Sequence, residues 1–439
     1  MSDKTTKKRP MGLKKSRAAK AATTGSQNKR PKDEQSQVIN NATPAGMSVD
    51  ETTEDGGSQL NEDEETIVLE APEVEEEDND GQIGEIWGIY QKAIKAMQNP
   101  VGISSKQEGG GGDEDLAIKY LRGTIHECDY ILKSKYNSLK QKAGSAEGKE
   151  GEGEVELVPK FYYVYGMALY TLSELTNPED AKEYFELSIM RLEQARDKIL
   201  ERSAGDGGRD GGLLKSVYLG LGKSTLSRAK FVDFDKEKEA EKKVVELVNK
   251  SLEYFDKALD TETNKEELVK ESLIVTDLVF TFVYLFVDIV ELQLAVRWGI
   301  KKLESIQNGE GQNKKAEIEF SLGNAHWILA SHYLDQIDEE TGEVPERNTV
   351  EKLLTQARDH LKKARENEEE KKTDASESLY DILILLSEVY INLGNIQPEE
   401  ENQEAEYAKA TEVLLVAKKN LPSGQEFPEH LQAFIDESN

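Results

Sequence analysis

What most constrains this chain is a recurring set of small and large side chains at helical spacing. Ala181-Phe185-Ser188, Ala357-Leu361-Ala364 and Ala410-Leu414-Ala417 share one form, and Ala117-Leu121-Thr124 and Ser251-Phe255-Ala258 repeat it. Steps of four and then three residues keep all members of a set on one helix face. The small residues at either end let a second backbone come close, while the large one fills the space between. Upstream partners with a small residue at a crossing point stand at Tyr165-Gly166, Leu219-Gly220, Leu322-Gly323 and Leu386-Ser387-x2-Tyr390.

This pairing is that of tetratricopeptide-type repeats, in which one helix crosses the next at a small residue and the second helix carries Ala-x3-Phe/Leu-x2-Ala. Pro422, 12 residues after Ala410, falls where such a unit ends. The apolar segments have helical periodicity, and none joins strict alternation to hairpin turn pairs. The expected class is therefore all-α: a TPR-like helical-repeat solenoid preceded by a disordered charged tail, with another helical bundle as the alternative. Gly109–Gly112, Gly144–Gly153, Gly205–Gly212 and Gly309–Gly311 read as surface loops, making the array degenerate.

The tail is expected over residues 1–80 and the helical domain over 82–439. Residues 1–33 hold eleven Lys/Arg against two Asp, and residues 48–80 hold fifteen Asp/Glu and no cation. From Ser2 to Asp80 there is too little apolar area to offset the entropy of ordering. Near Gln82 the pattern changes. Ile83, Ile86, Trp87, Ile89, Tyr90, Ile94 and Met97 form an apolar helix stripe, so the fold is expected to start here.

The most apolar run is Leu273–Val290. Its length suggests a membrane span, but Asp277 and Asp288 within it would each cost a few kcal/mol in lipid and its approach shows no positive-inside bias. One buried central helix, and no membrane, is the expectation.

Motifs that carry chemistry are incomplete. Gly220-Leu221-Gly222-Lys223-Ser224-Thr225 ends like a phosphate-binding loop, yet Val217 stands where the loop needs its first glycine, and Leu213–Phe231 reads as a helix. None of His126, His326, His332, His360 and His430 has Asp or Glu two residues later, which excludes the usual facial-triad iron motif. His326 and His332 fall on different faces of one helix, and Cys128 has His126 nearby but no partner acid. No catalytic, cofactor-binding or metal-binding residue is assigned, and no cofactor is expected. A lone cysteine suits a reducing compartment, and the N-terminus has no apolar segment of the secretory kind. The net charge of −30 survives removal of both charged blocks in large part. Nucleic acid is thus a poor ligand for the helical body, whereas a basic protein suits it.

The basic tail has two clusters, Lys7, Lys8, Arg9, Lys14 and Lys15, then Lys29, Arg30 and Lys32, spaced as a bipartite import signal that an acidic importin groove would bind. Lys8-Arg9-Pro10-Met11-Gly12-Leu13, followed by a Lys/Arg-Ala-rich stretch, an acidic linker and a helical body, resembles the fungal enhancer of translation termination family, which includes a negative regulator of a prolyl-hydroxylase-type oxygenase. The resemblance implies a nuclear protein that binds an iron- and 2-oxoglutarate-dependent oxygenase acting on a ribosomal protein. It thereby implies a link to ribosome-associated proteins, translation termination and oxygen-responsive transcription.

The function expected is that of a nuclear, non-enzymatic adaptor or regulator working by protein binding. A chaperone-linked TPR adaptor is the alternative, although no Lys/Asn cluster for a C-terminal carboxylate can be assembled from the sequence. An enzyme is disfavoured by the incomplete motifs.

Overall fold

The computed structural model describes residues 79–98, 113–144, 157–206, 211–232, 239–283, 289–307, 314–336, 346–371, 377–422 and 424–438. The tail, with both basic clusters, lies outside the described residues, apart from its last two positions. Thirteen helices and no strand occur among the described residues. They are α1 (Asn79–Gln98), α2 (Asp113–Gly144), α3 (Pro159–Leu175), α4 (Pro178–Asp206), α5 (Gly211–Ala229), α6 (Ala240–Asp260) and α7 (Lys265–Val283). The others are α8 (Ile289–Gln307), α9 (Lys315–Leu334), α10 (Arg347–Glu370), α11 (Glu377–Ile396), α12 (Glu400–Lys419) and α13 (Glu429–Ser438).

Local chemistry sets several of these starts. Asn177 accepts hydrogen bonds from the backbone N–H groups of Glu179 and Asp180, both at 3.1 Å, with Pro178 in the first helical position of α4. Asn264 does the same for α7, accepting from Glu266 at 3.0 Å and Glu267 at 3.4 Å. These caps satisfy amides that have no partner within the helix, and the acidic first turns complement the helix dipole.

The helices pack as six consecutive pairs, α1/α2 to α11/α12, each pair also meeting the next, and α13 packs on α12. All fifteen residues of the five repeated sets are at most 1% exposed. The glycines explain how the pairs close. A Cβ on Gly166 would lie 2.6 Å from Leu192 Cγ, one on Gly323 would lie 2.7 Å from Leu361 Cγ, and one on Gly222 would run into the Phe255 ring. Only a residue without a side chain admits these partners.

Structure alters the sequence reading in four places. In the third pair the crossing glycine that faces α6 is Gly222, whereas Gly220 meets Met167 of α3 and Leu192 of α4. In α4 the set opposite Gly166 is Ser188-Leu192-Ala195, about two turns beyond Ala181, because Ser188 and Leu192 are the residues that meet the glycine. The apolar run from Leu273 does not continue into α8 as one helix, since Phe280 of α7 meets Gly299 of α8, which a single helix would hold roughly 28 Å apart. In that fourth pair the small residue sits on the second helix, where Gly299 meets the Phe280 ring of the first. Finally, α4 continues through Gly205 and α5 begins at Gly211, so part of the expected loop is helical.

Two apolar clusters account for much of the interior. One, around Phe161, Leu169, Leu192 and Leu221, spans α1 to α6; the other, around Phe255, Phe280, Leu292 and Leu322, spans α5 to α9. Among the described residues the segment long and apolar enough to cross a membrane is Ser378–Ile396 in α11, with a mean hydropathy of 1.3. It is 72% buried between its neighbours, as the core helix of a packed array is.

Candidate protein-binding surface

The first helices of the pairs, α3 and α5 above all, bury most of their residues and leave a narrow half-exposed strip on one side. On that strip Trp87 of α1 lies 6.5 Å from the Tyr163 ring of α3, and the Lys160 ammonium sits 5.4 Å over Trp87. Tyr163 is hydrogen-bonded to Ser216 of α5, and burial pushes its hydroxyl up to about 12. Three successive first helices are thereby tied through one tyrosine. An aromatic and a cation held half-exposed make a surface on which a partner side chain can stack or pair.

Further along the strip, Lys215 of α5 bonds Glu262 and, at 2.7 Å, Glu271 of α7. One oxygen of Glu271 is buried without a hydrogen-bond partner. Lys223, two turns beyond Lys215, has its ammonium pulled below the usual lysine range by burial, with the Glu271 charge opposing the effect. The sequence singled out Lys223 for a different reason and missed Lys215, Glu262 and Glu271. Lys215 had the signal of a charge on a largely apolar helix, whereas Glu262, between α6 and α7, and Glu271, in the charged first half of α7, had none.

The remaining sequence candidates are taken up by packing. Gly222 makes room for Phe255, and Ser224 shares a 2.9 Å hydrogen bond with Ser188. The Gly-Lys-Ser-Thr segment is thus the middle of α5 and not a loop around phosphate. His326 and His360 stack with ring centroids 5.5 Å apart, and His360 Nδ1 donates to Glu319 at 2.7 Å. Burial and the neighbouring His360 lower His326 to about 4. Burial alone would raise Glu319, but the bonds from His360 and from Gln307, also at 2.7 Å, hold it below the usual carboxylate range. His332 is buried a turn and a half from His326, and His430 and His126 lie on separate helices. No group of three or more His, Cys, Asp or Glu able to hold a metal occurs among the described residues. Cys128 is fully buried, and burial together with Asp129 and Glu127 pushes its thiol up, away from the reactive thiolate. Lys7, Lys8, Arg9, Lys14, Lys15, Lys29, Arg30 and Lys32 fall outside the described residues.

Helix pairs that cross at small residues and stack pair on pair define an all-helical repeat protein of the tetratricopeptide-like class. No family model matches the chain. It is similar to Enhancer of translation termination 1 of Yarrowia lipolytica, 26% identical over 322 residues that cover 69% of this chain and 76% of the relative. It is also similar to Negative regulator of ofd1 of Schizosaccharomyces pombe, 26% identical over 264 residues, 57% of this chain and about half, 53%, of that one. These relatives bear the names of the family that the N-terminal motif resembles. Among solved structures, the S. pombe nuclear import adaptor Nro1 aligns over 82% of this chain and 100% of its own, with 18% identity and a TM-score of 0.46.

Proposed function

We propose that the chain is a nuclear, non-enzymatic adaptor and regulator that acts by stoichiometric binding of a protein partner through its helical body. The observation that carries the reading is the half-exposed strip on the first helices, which carries Trp87, Lys160 and Tyr163 on α1 and α3 and the Lys215–Glu271 pair on α5 and α7. Charged and aromatic groups on a rigid helical frame can hold a partner segment without any turnover of their own. The names of the relatives, a regulator and an enhancer of translation termination, support the same role.

By the family resemblance the partner is an iron- and 2-oxoglutarate-dependent oxygenase, and binding it links the chain to translation termination and to oxygen-responsive transcription. The tail, residues 1–80, is a separable unit whose basic clusters engage importin. Residues 79–439 should bind the oxygenase from the same organism with a simple stoichiometry by titration calorimetry. They should neither hydrolyse ATP nor consume 2-oxoglutarate. A failure to bind removes this partner, and turnover abolished by Lys223→Met or by histidine substitution overturns the adaptor role itself.

A further inference from the structure

The second helix of the first pair, α2, presents an unusual outward face. Lys119, Arg122, His126, Tyr130 and Lys133 follow one another at steps of three and four residues, and all five are exposed. Tyr136 flanks them. At 64% and 63% exposure Tyr130 and Tyr136 stand further out than any other large apolar or aromatic side chain among the described residues. On the same side of the helix Asp129 is already engaged, accepting the Tyr165 hydroxyl of α3. Beyond Asp129 the helix holds four lysines and no carboxylate as far as Gly144.

Two of the other second helices are built differently. The outer side of α4 exposes Glu179, Asp180, Glu183 and Glu186, and that of α12 exposes Glu400, Glu401 and Glu404. A helix dipole accounts for lysines near the end of α2, but it gives no reason to hold two tyrosine rings in water. The cationic and aromatic face is also out of keeping with a chain of net charge −30.

We infer that this face of α2 docks an acidic segment of a protein partner, with Arg122 and Lys133 pairing its carboxylates and Tyr130 and Tyr136 packing on its apolar side chains. The inference rests on the adaptor reading and adds to it a second contact, separate from the first-helix strip. The occupant follows from charge complementarity, because an acidic segment is repelled by most of this surface and attracted here. Six residues apart, the two tyrosines are turned about 120° from one another and lie about 9 Å apart along the helix at the usual rise, so they border the cationic stripe on its two sides and can flank a segment laid along it. Large aromatic side chains beside Arg are the kind that dominate binding energy at protein interfaces.

The test uses the full chain and a labelled helical peptide of about 20 residues, a length that supports helix formation in water. Its charged positions are Glu and its apolar positions Leu; a matched peptide has Lys for Glu, and an oligouridylate of similar charge is the third probe. Fluorescence anisotropy should show the Glu peptide binding and the other two not. Affinity should fall about tenfold in Arg122→Glu/Lys133→Glu, some 1.4 kcal/mol, and about fivefold in Tyr130→Ala/Tyr136→Ala. All four positions are exposed, and circular dichroism checks that the variants keep their helix content. No binding of the Glu peptide, equal binding by wild type and both variants, or equally tight oligouridylate binding through the same residues overturns the inference. Oxygenase binding is measured in parallel. If the oxygenase binds wild type and both variants alike, the adaptor reading stands and this contact falls. If the Glu peptide is captured through α2 but the oxygenase is not, the contact stands and that partner falls.

Discussion

Ser251 donates a 2.8 Å hydrogen bond to the carbonyl of Gly222, the same bond at the same length that Ser188 gives to Gly166. Each joins the second helix of a pair to the crossing glycine of the first. Glycine brings the backbones close enough for a serine hydroxyl to reach a helix carbonyl, and the buried hydroxyl is thereby satisfied. In the fifth pair Ala357 takes the serine's place, and its carbonyl lies against Gly323. No serine hydroxyl joins the helices at that crossing, and the pair has instead the polar bond from His360 to Glu319. The repeat is therefore held by a shared geometry more than by a fixed set of residues.

Gly222→Ala should destabilise the fold by about 1–3 kcal/mol, the usual cost of forcing an extra methyl into a packed core. Gly88 of α1 has nothing within 4 Å of where a Cβ would stand. Gly88→Ala should accordingly stabilise by about 0.5–1 kcal/mol through helix propensity. Urea unfolding of the two variants checks both signs, and destabilisation by the two alike would rule out the crossing role of Gly222.

His326 sets a pH dependence. Its folded pKa of about 4 lies below the ordinary value of 6.5, so between these limits the unfolded chain binds a proton that the folded chain refuses. Its contribution to stability is present above pH 6.5 and is lost as pH falls toward 4. The pH slope of the unfolding midpoint in this window should be shallower for His326→Phe than for wild type. An NMR titration of the imidazole gives the midpoint directly, and a value at or above 6.5 would contradict the assignment.

Cys128 should report opening of the first two pairs. Its thiol is buried among α1, α2 and α3 and pushed away from ionisation, so iodoacetamide should label it slowly in the folded protein and rapidly in urea. Rapid labelling under native conditions would mean that the first pair opens independently of the rest.

Limited proteolysis should remove residues 1–80 and leave a helical core beginning near Asn79, since the tail composition cannot support a core of its own. Replacing Lys7, Lys8, Arg9, Lys14 and Lys15 with Ala should move a tagged protein toward the cytoplasm. Persistent nuclear accumulation after Lys29, Arg30 and Lys32 are also replaced would remove the import role from the tail.

The sequence by itself determined the class and the buried repeat faces of this protein. Helical periodicity and the sets built on Ala117, Ala181, Ser251, Ala357 and Ala410 depend only on spacing along the chain, and spacing along a helix fixes which residues share a face. Leu213–Phe231 read as helix for the same reason, and α5 covers nearly all of it. Tertiary structure decided what lies across each face. Gly220 and Gly222 are two residues apart on one helix and look alike in sequence, yet one meets Met167 and the other Phe255. Likewise Lys215, Lys223, Glu262 and Glu271 come together, and His326 stacks on His360, through packing between residues far apart in the chain. Such pairings depend on the rotation and offset of each helix against its neighbour, which are set by the fit of all the packed side chains together and by no short stretch of sequence.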